Sequence, residues 1–426
     1  MNQFILKSQP LPTPPVVLPT DALPEPTGPN LRVAALTTAY FKYSHADDII
    51  TKFIEGFTIV SRVHEPHCEV VSLYVEQFLD SDIGRGMADR YEIPMFDSVT
   101  DALTLGGDTL DVDAVVLVGE HGEFDINEKG QKLYPRRRLF EEIVNVFRVS
   151  GRSVPVFNDK HLSYSWSDAE WMYGQAKELG FPLAAGSSVP LAWRLPPLSF
   201  CNGIELDDAL SVYYAPDHIE DGVDYAAYHT LETLQAFVEH RAGGETGVRS
   251  VQLLEGDAAW DAAANGLWSP ELLAAAIETV PHLDRSLRVS KSPDYANELR
   301  LADPDPVVIM VEYSDGFRGS AYLSRKPLLN DEFCFAAGVK DVDQPVATWC
   351  YMIKPARDHF SMLCNHAEFM FRSGKPSLPV ERTYLVTGIL AAAADSRFEG
   401  HKIIATPHLE ELGYTPAPDL ASQADQ

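Results

Sequence analysis

Three polar clusters in this chain stand directly behind short apolar runs, and their residue types are those of proton transfer and metal ligation. Val154 to Phe157 runs into Asn158, Asp159, Lys160 and His161; the run from Asp113 to Val118 is followed by Glu120 and His121; and LRVAAL, from Leu31, leads through Thr37, Thr38 and Tyr40 to His45. An imidazole, or a lysine whose ammonium is desolvated, supplies a base with a pKa near neutrality. Imidazole with carboxylate is also what zinc or manganese binds, so His45, Glu120, His121 and His161 form a candidate divalent-metal set. The run Arg136, Arg137, Arg138 reads either as a grip on phosphate or carboxylate or as a solvated face paired with Glu141 and Glu142. Trp166, Trp171, Trp193 and Trp260 read either as a sugar platform or as core.

These clusters belong to alternating strands and helices. Strand patterns start at Leu31, at Glu69 to Val75, at Asp113 to Val118, at Val154 to Phe157 and at Pro182 to Ala185. Helical spacing through Ala46, Ile49, Ile50, Phe53 and Ile54, with Ser44 as cap, separates the first two, a helix through Met87 to Tyr91 comes next, RRLFEEIVNVFRVSG precedes the run from Val154, and Ala169 to Leu179, closed by Gly180, follows it. That alternation from 31 to 190 predicts a doubly wound parallel sheet, and ligands bind such sheets beyond the carboxyl ends of the strands, where all three clusters fall. The segment GEHGEFDINEKGQKLYPRR is longer than the usual connection and leaves that same edge. From 191 to 410 the pattern predicts an α+β unit: strands ALSVYYAP, VRSVQLLEGDAAW, PVVIMVEY, FRGSAYLSR, DEFCFAAGVK and VATWCYMI, a hairpin at Ser314, Asp315, Gly316, helices near Tyr225 to His240 and Ser269 to Val280, and a long helix from Val380 to Arg397. The expected arrangement is a large, mostly antiparallel sheet with helices on one face. Residues 1 to 30, with eight prolines from Pro10 to Pro29, read as an extended arm, and 411 to 426 as a tail.

Composition narrows the partners. With 62 acidic against 34 basic residues the formal charge is -28, which repels nucleic acid and anionic membrane surfaces. Five scattered cysteines without a C-x-x-C pair fit neither a disulfide framework nor a thiolate zinc site, so a reducing, cytoplasmic setting is expected. No run reaches the length of a membrane span.

The order of segments from 31 to about 410, with Asp159, Lys160, His161 directly after the run from Val154 to Phe157, resembles the Gfo/Idh/MocA oxidoreductases, whose Rossmann domain carries Glu-Lys-Pro there; the lysine matches and its neighbours differ. A second signature of that family, a histidine followed three residues later by an acid, reads His229 and Glu232 within DYAAYHTLETL, with Asp224 upstream. The resemblance implies a sugar, polyol or related hydroxy compound as substrate, with Lys160 and His229 orienting the hydroxyl and exchanging its proton, assisted by Glu232, Asp159 and His161. It implies NAD or NADP against Thr37, Thr38, Tyr40, Glu76 and Glu120, and a homo-oligomer formed through the open face of the second sheet. The third signature, G-x-G-x-x-G after the first strand, is replaced by Thr37, Thr38, Ala39, Tyr40, Phe41 and Lys42, and no glycine occurs between Leu31 and Gly56, so nucleotide binding would be atypical. The alternative on the same fold is a lyase, isomerase or hydrolase of a carbohydrate-like substrate, with Lys160 and His229 as acid and base and a metal at the His45 to His161 set. A third reading is a binding or scaffold protein that has lost the chemistry.

Overall fold

The computed structural model describes residues 4–6, 18–59, 62–214, 223–281, 294–325, 332–352 and 357–417. Its first half is built on five parallel strands, β1 (Leu31–Ala39), β2 (Cys68–Gln77), β3 (Ala114–Val118), β4 (Val156–Asp159) and β5 (Leu183–Gly186), in the order β2-β1-β3-β4-β5. All five residues of β3 are buried, as expected of a strand covered on both faces. One face packs against α1 (His45–Glu55) and α2 (Gly84–Tyr91), and the other against α3 (Val99–Thr104), α4 (Arg136–Ser150) and α5 (Trp166–Leu179). Ser44 caps α1 by accepting from Asp47 N, and α5 ends on Gly180 at φ 67, the left-handed residue that terminates a helix most cheaply.

The second sheet has eight strands: β6 (Trp193–Leu195), β7 (Leu206–Tyr214), β8 (Val248–Glu255), β9 (Val307–Tyr313), β10 (Arg318–Ser324), β11 (Phe333–Val339), β12 (Val346–Tyr351) and β13 (Ile404–Ala405), in the order β13-β8-β9-β10-β7-β11-β12-β6. Only β7 and β10 run parallel; the other neighbours are antiparallel. The Ser314, Asp315, Gly316 turn joins β9 to β10, with Gly316 at φ 86 donating its N–H to Tyr313 O at 3.0 Å. Helix α6 (Val223–Val238) and helix α11 (Val380–Phe398) cover one face.

Three expectations change here. The run VRSVQLLEGDAAW is not one strand: β8 stops at Glu255, Gly256 turns the chain at φ 56, and α7 (Gly256–Ala264) begins. With α8 (Pro270–Glu278) and α9 (Tyr295–Ala302), α7 covers the other face of the sheet, burying Leu210, Val212, Tyr322, Cys334 and Trp349 under Trp260, Trp268, Leu273 and Ile277. The face expected to be open for a partner subunit is therefore occupied by the chain's own helices. Lastly, α10 (Asp358–Ser373), which the sequence pattern did not reveal, returns to the parallel half and packs its Phe360, Leu363, Ala367 and Phe371 with Ile49, Ile50 and Phe53 of α1.

Of the proline-rich arm, Phe4–Leu6 pairs with Leu198–Phe200 and Pro19–Ala22 forms a 3-10 turn tied to α10 through Asn365, whose Nδ2 donates to Thr20 Oγ1 at 2.7 Å. Pro10, Pro12, Pro14 and Pro15 lie outside the described residues, as does the tail beyond 417. No helix among the described residues is long and apolar enough to cross a membrane.

Candidate active site

The carboxyl ends of β1, β3, β4 and β5 face the start of α6, and the charged residues that follow these strands turn inward. Lys160, 1% exposed, takes a left-handed backbone at φ 63, uncommon for a residue with a side chain, and donates its N–H to Gly186 O at 3.0 Å. This fold-back directs its ammonium to Glu120, whose other oxygen accepts from Arg136. Burial disfavours the Glu120 charge, but Lys160 and Arg136 outweigh it and hold the carboxyl well below the usual range. Burial draws the Lys160 ammonium below its ordinary pKa while Glu120 and Asp159 oppose that shift. Arg136 also donates to His161 Nε2 at 3.2 Å, and burial beside that guanidinium keeps His161 neutral, its pKa well below the ordinary value.

A second group adjoins the first. His45, the first residue of α1, shares a 2.7 Å hydrogen bond from Nδ1 to Asp159 Oδ2. Its ring centroid lies 5.3 Å from His121 and 6.3 Å from His229. His229, on α6, shares a 2.5 Å hydrogen bond with Ser187 Oγ, and burial, then the Lys160 charge, push its pKa well down. Tyr225 connects the two groups: Lys160 Nζ lies 4.0 Å from the ring centroid, and the His229 ring lies 6.0 Å from it. Lys160 and His229 thus border one aromatic wall, from opposite halves of the molecule.

Glu232, one turn beyond His229, positions rather than faces this site. Its Oε2 accepts from Ser187 N at 2.7 Å, and its Oε1 lies 2.8 Å from Thr383 Oγ1. Burial raises its pKa to about 7. The Thr383 hydroxyl has a single hydrogen, for which Glu232 Oε1 at 2.8 Å and Ala185 O at 2.9 Å compete as acceptors. Asp224 accepts from Lys132 N at 3.3 Å; burial, then the Glu120 charge, push it up to about 7.

Several buried polar atoms here have no protein partner: His121 Nε2, Asp159 Oδ1, His161 Nδ1 and Asp224 Oδ1. Such atoms call for a polar ligand or ordered water. The long connection after β3 lies over this region. Ile126 bridges Lys132, Gln131 Nε2 donates to Tyr164 O at 2.6 Å, Lys129 pairs with Asp395 of α11, and the Tyr134 ring lies 6.0 Å from His161.

The metal set does not form. Among the described residues no three His, Cys, Asp or Glu side chains are arranged to hold a metal ion. Both oxygens of Glu120 are taken by cations, and His45 and His161 each have one ring nitrogen engaged, with Asp159 and Arg136. The residues expected against a nucleotide are likewise engaged within the chain. Thr37 Oγ1 donates to Val118 O at 3.1 Å, Thr38 Oγ1 to His121 O at 2.5 Å, Tyr40 is buried with its hydroxyl 2.8 Å from Thr51 Oγ1, and Glu76 pairs with Arg138 away from the cluster. A diphosphate needs free N–H groups and positive potential at the start of α1. Here Ser44 Oγ takes Asp47 N, and the first turn carries the buried carboxylates Asp47 and Asp48. These residues do not fit a diphosphate.

The arginine run divides. Arg136 is fully buried in the site, Arg137 stacks on Trp171 and pairs with Glu141 at 2.8 Å, and Arg138 pairs with Glu142 at 2.9 Å. Trp166 stacks on Tyr384 and Trp260 is core, so neither lines the site. Ser187, Tyr225 and Thr383 were not anticipated. Ser187 follows β5 at its carboxyl end, the position that singled out Asp159, and could have been found by the same rule.

No protein-family model matches this sequence, and no curated protein resembles it in sequence. Solved structures do match. A probable dehydrogenase from Thermotoga maritima superposes with a TM-score of 0.53 at 12% identity, over 88% of this chain and 99% of its own. The chain has the Gfo/Idh/MocA dehydrogenase fold. Myo-inositol 2-dehydrogenase from Lactobacillus plantarum gives a TM-score of 0.53 at 11% identity, over 88% of this chain and 99% of its own. Myo-inositol dehydrogenase from Lactobacillus casei, solved with NAD(H) and myo-inositol, gives a TM-score of 0.53 at 11% identity, over 88% and 97%. Within this dehydrogenase fold, Lys160 ends the fourth parallel strand and His229 lies on the first helix after the second sheet has begun.

Proposed function

We propose that the chain is an oxidoreductase-type enzyme acting on a polyol, sugar or related hydroxylated small molecule, with Lys160 and His229 orienting a substrate hydroxyl and moving its proton. The observation that carries this reading is that both side chains border Tyr225 at the carboxyl edge of the parallel sheet, amid buried polar atoms without partners. Neutral His229 is suited to accept a proton, and the Lys160 ammonium to donate one. Ser187 fixes the His229 ring and Glu232 fixes Ser187. The dehydrogenase fold, and the NAD(H) and myo-inositol in the Lactobacillus casei structure, support a polyol substrate and a nicotinamide nucleotide as hydride acceptor. Such a nucleotide would have to be held otherwise than by the start of α1.

A second reading uses the same two residues without hydride transfer, in an isomerase, lyase or hydrolase. The carboxylates at the start of α1 favour it. One assay addresses both: purified chain is offered polyols and aldoses with NAD or NADP, and the corresponding keto compounds without nucleotide. Reduced nicotinamide absorbance, lost in Lys160→Met and in His229→Asn, supports the first reading; turnover without nucleotide supports the second. Activity undiminished in both variants would sink the assignment of these residues.

A further inference from the structure

The doubly wound sheet offers a dinucleotide one principal anchor, the N-terminus of the helix after the first strand, from which the nicotinamide would extend along the carboxyl edge towards Lys160. Four observations bear on that path. The backbone before α1 carries Tyr40, 1% exposed, in place of a glycine cradle. The helix start caps itself: Ser44 Oγ accepts from Asp47 N, and Asp47 Oδ2 accepts from Tyr43 N at 2.8 Å and pairs with Lys42 at 2.9 Å. Asp48 is latched from α10 by Arg357, whose Nη1 also donates to Tyr43 O at 3.2 Å. Along the edge itself stands the His45 ring, bonded to Asp159 and 6.3 Å from the His229 ring.

A carboxylate can only accept, so Asp159 places a hydrogen of His45 on Nδ1, and the neutral ring then carries its lone pair on Nε2. That is the arrangement of a general base steadied by a carboxylate. Asp159 Oδ1, buried without a partner, and His121 Nε2, likewise buried and unpartnered with its ring 5.3 Å from His45, mark the same spot as built for something polar.

We infer that the dinucleotide seat has become a proton-transfer site: α1 holds no nicotinamide dinucleotide, and His45, steadied by Asp159, is a base acting with Lys160 on a hydroxylated carbonyl compound. The inference rests on the proposed site and deepens its second reading. In the step, His45 Nε2 takes the proton from the carbon beside the substrate carbonyl, that C–H electron pair becomes the new carbon–carbon double bond, and the carbonyl π pair takes a proton from the Lys160 ammonium to give an enediol. In the reverse step one hydroxyl of the enediol gives its proton to the Lys160 amine and becomes the carbonyl, while the carbon–carbon π pair takes the proton from His45 Nε2 at the original carbon or at its neighbour. No electron leaves the substrate, so no redox partner is required.

The test uses the full chain. Calorimetric titration with NAD and NADP in both redox states is combined with proton NMR in deuterated water, following deuterium uptake beside the carbonyl of an inosose and of open-chain ketoses, without nucleotide. No binding at millimolar nucleotide is expected, with exchange slowed about 100-fold or more in His45→Gln and in Asp159→Asn, whose neutral amide can donate to Nδ1 as well as accept and so no longer holds the ring hydrogen there. Melting curves identify any variant that fails to fold, and the histidine NMR signals of Asp159→Asn report the tautomer independently of turnover. Saturable nucleotide binding that shifts the His45 signals overturns the inference, as does absence of exchange with every ketone. Exchange lost in Lys160→Met but intact in His45→Gln also overturns it while leaving the proposed site standing; exchange intact in Lys160→Met and His229→Asn removes that site as well.

Discussion

Replacing Glu120 by Gln should be a costly change despite its conservative shape. The side chain is 1% exposed and its two oxygens each neutralise one buried cation, Lys160 and Arg136, themselves 1% and 0% exposed. Removing one member of such a buried pair, and so leaving charge uncompensated, costs about 3–5 kcal/mol. At about 2.1 cal/mol/K of unfolding entropy per residue, the 426 residues correspond to about 0.9 kcal/mol/K if the chain melts as one unit, so the expected loss is about 3–6 °C in calorimetry at pH 7. The exposed pair of Arg138 with Glu142 provides the contrast, since Glu142→Gln should cost about 0–1 kcal/mol and move the transition by roughly 1 °C or less. The pH dependence has a defined sign. A carboxyl held below its unfolded pKa contributes stability above that pKa and loses it as pH falls through the folded one, so the gap between wild type and Glu120→Gln should narrow only below about pH 4. A shift in Glu120→Gln no larger than in Glu142→Gln would refute the ion triad.

Glu232 should behave in the opposite sense. Its pKa is raised to about 7, so the folded state binds more protons than the unfolded, and its contribution falls as pH rises from about 4.5 to 7. Glu232→Gln should therefore gain on wild type by on the order of 3 kcal/mol between pH 5 and pH 8, read from paired melting curves; parallel curves would show that Glu232 is ionised throughout. Gly186→Ala should displace that same carboxyl, because a Cβ there would lie 2.9 Å from Glu232 Oε1 on a backbone at φ 149. A loss of about 1–3 kcal/mol is expected, and a crystal structure of the variant with Glu232 unmoved would contradict it. Lys160→Met should lower turnover about 100-fold or more in whichever assay reports activity, with the fold intact by circular dichroism; a smaller loss would make Lys160 a structural counter-ion to Glu120.

The parallel half was legible because its strands are short apolar runs, each followed by a change of residue character, as at Phe157 to Lys160. The second sheet was legible from alternation, but not its double cover, since Gly256 inside an apolar run reads as a bulge until the helix after it is seen. Helix α10 differs from an ordinary surface helix in being buried nearly all round, with the polar Asn365, His366 and Glu368 inside, so that its polar residues do not mark a solvent face. In the site, the rule that ligands gather at strand ends found Asp159, Lys160, His161, Glu120 and His45. It could not show that these residues satisfy one another instead of a metal, because their pairing depends on how Arg136, at the front of an ordinarily solvated run, turns inward.

The double cover of the eight-stranded sheet has a consequence for how the molecule meets copies of itself. Face-to-face stacking of two such sheets would require α7, α8 and α9, with Trp260 and Trp268, to peel away from Leu210, Val212, Tyr322 and Trp349, exposing indole and phenol rings that now lie in hydrocarbon. That association is closed to the folded chain, and any self-assembly must use edges, helix backs or loops.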